Sequence, residues 1–313
     1  MEKLVVIAVG GNSLIKDSSH MSVLDQYRAA GETSTHIADI VRQGYRVVIT
    51  HGNGPQVGFI LLRSELAKDV LHQVPLDSCV ADTQGAIGYQ ISQTLLNEFT
   101  RRNMVKPVAT VVTQVVVDRD DPAFKNPSKP IGPFYSEEDA REHAEAEGWS
   151  IREDAGRGWR RVVASPEPRR IVELEAISAL LEKDVIVVAV GGGGVPVVET
   201  EDGSLLGVPA VIDKDKASCL LATKLGAELF IISTAVDKVA LNFGKPDQTF
   251  IDTMTVAEAR EYMAQGHFAP GSMKPKIQAA IDFLEGGGKR VIITQPHLLE
   301  KALAGETGTH IVP

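Results

Sequence analysis

The apolar positions of this chain first fall into unbroken runs. Leu4-Val5-Val6-Ile7-Ala8-Val9 is composed throughout of strand-forming residues and stops at Gly10-Gly11-Asn12. Arg46-Val47-Val48-Ile49-Thr50 runs in the same way into His51-Gly52-Asn53-Gly54-Pro55, and Val185–Val190 runs into Gly191-Gly192-Gly193-Gly194. Runs without polar alternation predict strands buried on both faces of a parallel sheet. Ligands of such sheets lie beyond the carboxyl ends of the strands. Glycine there lets backbone N–H groups approach an anion with no Cβ between them. Three glycine-ended strands therefore predict one shared anion cradle at one edge of one sheet.

Between these runs the apolar spacing becomes helical. A helix is predicted after the polar stretch Lys16–Ser22, ending near Gln43 with Gly44 as its stop. Another begins with Pro55 at its first position and carries Phe59, Leu62 and Leu66 as an apolar stripe. A third, around Thr83–Arg101, repeats Ile87, Ile91 and Leu95 as core positions. Val108–Val117 is rich in β-branched residues and predicts one strand. Helices are also expected over Glu173–Lys183, from Asp213 to Leu225, from Thr255 to Gly266 and around Ile277–Leu284. Thr255 and Glu258 form a capping-box pair, and Asp202-Gly203 signals a hairpin. Strands at Glu228–Ser233, Arg290–Thr294 and Thr309–Val312 complete an α/β pattern with a mostly parallel sheet covered on both faces.

Residues 118–168 interrupt the alternation. They are rich in proline, glycine and charge, hold both tryptophans, Trp149 and Trp159, and include an acidic helix started by Ser136 and ending near Glu147. Connections in α/β units are usually ~2–6 residues, so this stretch predicts an inserted subdomain acting as a lid or binding loop.

Composition narrows the function. The chain has 313 residues, with 32 Lys and Arg against 41 Asp and Glu, a net charge of −9. An acidic protein has no general attraction for nucleic acid or anionic membranes, so an anionic substrate needs locally placed lysines. Cys79 and Cys219 lie far apart and form no metal-ligand spacing, which suits a reducing compartment. No leader-like segment or membrane-length apolar run is read, and a cytoplasmic protein is expected.

Familiar nucleotide motifs are missing. Gly266 and Gly271 have a P-loop gap, but Ser272-Met273 stands where Lys-Ser or Lys-Thr is required, and Pro196 interrupts a dinucleotide fingerprint after the glycine run. What remains is glycine turns and three lysines in turn settings, Lys129, Lys214 and Lys276. Phosphoryl transfer needs mainly positioning and cationic stabilisation, which such groups supply. Lys214 and Lys276 sit at predicted helix starts, where a cation is unfavourable unless an anion compensates. Asp215 also reads as a helix N-cap, while Asp213 has no assigned role. His51 reads as a packing residue.

The motifs resemble those of the carbamate kinases, members of the amino-acid kinase superfamily. They are Val-Gly-Gly-Asn at 9–12, Thr-His-Gly-Asn-Gly-Pro-Gln-Val-Gly at 50–58, Ser-Lys-Pro-Ile-Gly-Pro-Phe-Tyr at 128–135 and Gly-Gly-Gly-Gly-Val-Pro-Val at 191–197. Val-Ile-Asp-Lys-Asp at 211–215, Thr-Ala-Val-Asp-Lys-Val at 234–239 and Pro-Gly-Ser-Met-Lys-Pro-Lys at 270–276 extend the resemblance over the whole chain. It implies a three-layer αβα sandwich, reversible phosphoryl transfer between ATP and carbamate giving ADP and carbamoyl phosphate, Mg2+ with the nucleotide, and a homodimer. It also implies ATP formation in arginine or purine breakdown. Residues 1–226, including the insertion, would form the carbamate lobe and residues 227–313 the nucleotide lobe.

Residue by residue, the resemblance gives Gly10, Gly11, Asn12, Gly52, Asn53 and Gly54 to carbamate and the migrating phosphoryl group. Lys129 would reach in from the insertion, Lys214 and Lys276 would hold ATP phosphates, and Asp215 would orient donors. Ala235, Val236, Asp237, Val239 and Met273 would flank the nucleotide. No residue is assigned to a metal. Lys274, two positions before Lys276, competes with it for the site. A kinase of another small carboxylate or amino acid, a binding protein without turnover and a nicotinamide-dependent oxidoreductase stay open as alternatives.

Overall fold

Strand Leu4–Val9 is buried at every position, as its unbroken apolar run requires. The pleat sends Val5, Ile7 and Val9 to one face and Leu4, Val6 and Ala8 to the other, into two separate cores. The computed structural model describes residues 3–11, 14–15, 19–154 and 158–313. Asn12 and the Lys16, Asp17 and Ser18 part of the predicted polar stretch lie outside them.

The main sheet has eight strands. From one edge to the other they are Thr253–Thr255, Thr309–Val312, Arg290–Thr294, Leu229–Ser233, Leu4–Val9, Arg46–His51, Ile186–Val188 and Val108–Thr110. Every neighbouring pair is parallel except Arg290–Thr294 with Thr309–Val312. The chain lays Arg46–His51 on one side of the first strand and Leu229–Ser233 on the other. That reversal opens a crevice at the carboxyl end of Leu4–Val9. Helices Val23–Arg42, Leu76–Arg101 and Leu299–Leu303 fill one core, and Leu174–Glu182, Lys214–Lys224, Val256–Ala264 and Met273–Glu285 fill the other. Helices thus cover both faces of the sheet, the three-layer arrangement expected.

Several sequence expectations are met locally. Ser22 caps Val23–Arg42, Gly44 comes just after it at φ +84°, and Thr255 with Glu258 makes the capping box. Val195–Glu199 and Leu205–Gly207 form the antiparallel pair around Asp202-Gly203. Two expectations fail. Helix Leu76–Arg101 starts seven residues before Thr83, because Leu76, Cys79 and Val80 bury an earlier turn. The single strand expected over Val108–Val117 is two, Val108–Thr110 in the main sheet and Gln114–Val117 in a four-stranded sheet. Buried Gln84 makes the break: its Oε1 accepts from Thr113 N–H at 2.7 Å and its Nε2 donates to Thr113 C=O at 3.0 Å.

The insertion is a folded subdomain. Strands Lys129–Tyr135, Trp159–Val163 and Ser150–Glu153 form an antiparallel sheet beside helix Glu137–Glu147, which Ser136 caps. Ile131 and Val163 join it to the body through a small core with Val57, Val80, Val195 and Val211. At Gly58 a Cβ would lie 2.4 Å from Gly132 Cα, so the subdomain packs backbone to backbone on helix Gly54–Leu66.

Candidate active site

The crevice at the strand tips is a cleft of about 360 Å3. Its walls bring together the turns Gly10-Gly11 and Gly52-Asn53-Gly54, all three expected lysines, Asp213, Asp215 and Ala235. The two turns touch: Gly52 N–H donates to Val9 C=O, and a Cβ on Gly52 would stand 3.1 Å from Gly11 N. The Gly10 N–H donates to Ser233 C=O. With both N–H groups spent on the sheet, Gly10 and Gly52 contribute close approach of backbone rather than free donors.

The third glycine turn departs from the expected shared cradle. Gly191, Gly192 and Gly193 are buried, and of the run only Gly192 lines the cleft. A Cβ would fall 2.3 Å from His51 Nε2 at Gly191, 2.0 Å from Asn53 Nδ2 at Gly192 and 2.4 Å from Ile212 C=O at Gly193. These glycines exist to let the neighbouring turn pack directly against them. His51 is fully buried, with Nδ1 3.1 Å from Gly52 C=O. Burial, with Lys214 adding to it, pushes its imidazole down to about 4, so it is neutral near pH 7 and packs rather than titrates.

Two aspartates gather the three lysines. Asp215 Oδ1 accepts from Lys214 Nζ at 2.6 Å and Asp215 Oδ2 from Lys276 Nζ at 2.8 Å. Asp213 Oδ2 accepts from Lys129 Nζ at 2.8 Å. The unfavourable placement of Lys214 and Lys276 at helix starts is thus compensated inside the protein. Burial pushes the Asp215 carboxyl up, but the two ammonium groups outweigh it and keep it ionised far below the carboxylate range. Burial likewise pushes the Asp213 carboxyl up, but Lys129 and Lys214 together bring it below its ordinary value. Burial, helped by Lys276, pulls the Lys214 ammonium below its ordinary value against the opposing pull of Asp215.

The expected cap on this helix is one position pair off. Asp213, not Asp215, is the N-cap of Lys214–Lys224, its Oδ1 accepting from the N–H of Asp215 at 2.9 Å and of Lys216 at 3.4 Å. Asp213 therefore belongs to the site although the sequence alone gives it no role there. A signal for it exists: an aspartate just before a helical run is a preferred cap. Lys276 lines the cleft while Lys274 is exposed outside it, which separates the two. Val236, Asp237, Val239 and Met273 do not line the cleft; Val239 is buried with its N–H on Thr309 Oγ1, and Met273 packs on the core.

Chemically the cleft offers three cations and two anions around a glycine-lined gap, with no histidine among its described lining residues. That set suits two anionic partners exchanging a phosphoryl group. Comparisons agree. The sequence matches the Amino acid kinase family over residues 3–295. It is 51% identical to carbamate kinase of Thermococcus kodakarensis over 99% of both chains, and 51% identical to carbamate kinase-like protein YahI of Escherichia coli over 100% of this chain and 99% of that one. The structure of Giardia lamblia carbamate kinase bound to AMP-PNP superposes with TM-score 0.92 at 42% identity, covering 99% of this chain and 98% of that one. The chain belongs to the amino acid kinase family, and within it to the carbamate kinases.

Proposed function

We infer that this chain is a carbamate kinase, an ATP-dependent phosphotransferase that reversibly converts ATP and carbamate into ADP and carbamoyl phosphate. The carrying observation is the convergence of Lys129, Lys214 and Lys276 on Asp213 and Asp215 beneath touching glycine turns. Carbamate is already an oxyanion. Its oxygen bonds to the γ-phosphorus as the bond from that phosphorus to the β–γ bridging oxygen breaks, and no proton moves. A neutral, buried His51 is consistent with that economy. In this reading Lys214 and Lys276 hold nucleotide phosphates, and Lys129 meets the migrating group from the subdomain side. Gly10, Gly11, Gly52, Asn53 and Gly54 face carbamate, with Asn12 beside them in sequence. Asp215 fixes the two body lysines and Asp213 fixes Lys129.

Mg2+ is proposed to arrive with the nucleotide. No group of three or more His, Cys, Asp and Glu side chains gathers among the described residues, and both cleft carboxylates are held by lysines. Such a lining would suit an ion held chiefly by nucleotide phosphates and water. When bound, Mg2+ neutralises charge on the β- and γ-phosphates.

The same reading assigns residues 1–226 to the carbamate side and 227–313 to nucleotide, with Ala235 at the cleft and Val236, Asp237, Val239 and Met273 in the loop and helix start behind it. It treats residues 118–168 as a closing lid; lower protease sensitivity of that stretch with ligands bound checks this. Homodimerisation is proposed as well, with exposed Tyr89, Leu96, Leu205 and Leu206 as apolar surface available to a second copy; light scattering after gel filtration checks it. The cytoplasm is the proposed compartment; among the described residues no helix is long and apolar enough to cross a membrane. The central test is ATP formation from ADP with carbamoyl, acetyl or glutamyl phosphate. Strong preference for carbamoyl phosphate is expected, and no turnover with it would overturn the reading.

A further inference from the structure

Val190 adopts φ +52° and ψ 34°, left-handed backbone that a β-branched residue rarely takes. Such strain persists only where the surroundings enforce it. Here Val190 is buried in the core, accepts from Gly193 N–H, and is held at its own N–H by Thr113. The Thr113 Oγ1 accepts from Val190 N–H at 2.9 Å and donates to Val111 C=O at 2.7 Å. Thr113 is fully buried and does not line the cleft. Its backbone is gripped on both sides by the Gln84 amide, at 2.7 and 3.0 Å.

The strained residue sets the course of the glycine run. Gly191 and Gly192 bring the backbone after Val190 directly against His51 and Asn53, closer than any Cβ would permit. Asn53 is held from its other side by Thr83, whose hydroxyl donates to Val80 C=O at 2.7 Å and accepts from Asn53 Nδ2 at 2.8 Å. Thr83 and Gln84 are consecutive on one helix, so a single turn grips Asn53 in front and Thr113 behind. The Asn53 side chain is clamped between Thr83 and the Gly192 backbone with its orientation decided by both.

We propose that Thr113 is a positioning residue for the reaction: it keeps Val190 left-handed, and the adjoining glycine backbone holds Asn53 in its working orientation at the carbamate side of the cleft. This rests on the assignment of Asn53 to that side. It predicts a larger effect on one substrate than on the other, because Thr113 does not line the cleft and its hydrogen bonds run to Gln84, Val111, Val190 and Val195.

The test is Thr113→Val, which keeps shape and removes the hydroxyl, with Thr113→Ser as the rescue. The Val variant is expected to lower kcat/KM for carbamoyl phosphate at least tenfold while the Kd for ADP stays within twofold. The Ser variant is expected to recover to within about threefold of the parent. Equal losses toward both substrates, unchanged kinetics, or failure of Ser to rescue would overturn the proposal. A crystal structure of the Val variant gives an answer independent of activity. Val190 leaving the left-handed region with the Asn53–Thr83 bond broken supports positioning; Asn53 unmoved overturns it. If the parent protein fails to use carbamoyl phosphate, the functional assignment falls while this structural readout still decides the role of Thr113.

Discussion

The body of the molecule and the inserted subdomain each bring lysine to the cleft, on different kinds of support. Lys214 and Lys276 stand in the first turns of helices whose apolar faces are sunk in the main core, and they share one carboxylate with 6% of its side chain exposed. Lys129 opens the first strand of a small three-stranded sheet and pairs with Asp213, whose side chain is 17% exposed. The subdomain rests on the body through Ile131 and Val163 in the small core, the close approach of Gly58 and Gly132, and the ion pairs Arg161–Glu65 and Lys68–Glu147. Partly exposed pairs of that kind contribute little stability. The contrast teaches that the body cations are held by a largely buried carboxylate, whereas the subdomain cation is held by a more exposed pair. The proposed kinase reading uses both, with the body lysines toward nucleotide and the subdomain lysine toward the acceptor.

The largest test breaks the fixed pair. Asp215→Ala leaves two buried ammonium groups without their shared anion, and about 3–5 kcal/mol of unfolding free energy should be lost, with turnover. Chemical denaturation measures this; a loss below about 1 kcal/mol would show that the body lysines are not held as described. Next, Lys129→Ala should slow turnover by about 3–4 kcal/mol of barrier, the scale of a lost charge-stabilising contact, with ADP affinity nearly unchanged. Lys214→Ala should cost turnover on a comparable scale and weaken ADP binding too. Identical profiles for the two variants would erase the distinction between body and subdomain.

A pH experiment probes how tightly the body side is packed. His51 has a folded-state value of about 4 against 6.5 as its ordinary value, so the unfolded chain binds the extra proton first. Its contribution is fully present above pH 6.5 and is lost as pH falls from there toward 4, reaching about 3 kcal/mol. Urea unfolding of the parent and of His51→Gln across that range should give stability curves that converge as pH falls. Parallel curves would mean His51 protonates in place. The smallest effect is a control on the lysine comparison. Lys274→Ala, altering an exposed side chain outside the cleft, should leave kcat and both KM values within twofold. A tenfold loss would move Lys274 into the site in place of Lys276.

Much of the fold was legible because its causes are local. A strand buried on both faces is apolar along its run, and Leu4–Val9 and the Val47–Ile49 stretch announce themselves that way. The capping pair Thr255 and Glu258 and the Asp202-Gly203 hairpin work within a few residues. Lys214 and Lys276 were legible because a cation at a helix start is a local conflict that something must compensate, whereas Lys129 was legible from its Pro-Gly-aromatic setting and the family resemblance. That the answer is Asp213 and Asp215 was only half legible, since the two aspartates are interchangeable in sequence and differ by one cap geometry.

The remainder came from contacts between distant segments. The bend that splits Val108–Val117 is made by Gln84, 29 residues before Thr113 in the chain. Nothing in Gly191–Gly194 distinguishes an anion cradle from a packing surface, because the difference lies in His51, Asn53 and Ile212 crowding the places where Cβ atoms would stand. The amino-acid order by itself determined most of the strand and helix segments, and which helix-start cations must meet an anion, since those depend on burial and charge along the chain. Only the tertiary structure decided which backbone faces ligand and which supports its neighbour, because that depends on what the folded sheet brings within a few ångströms.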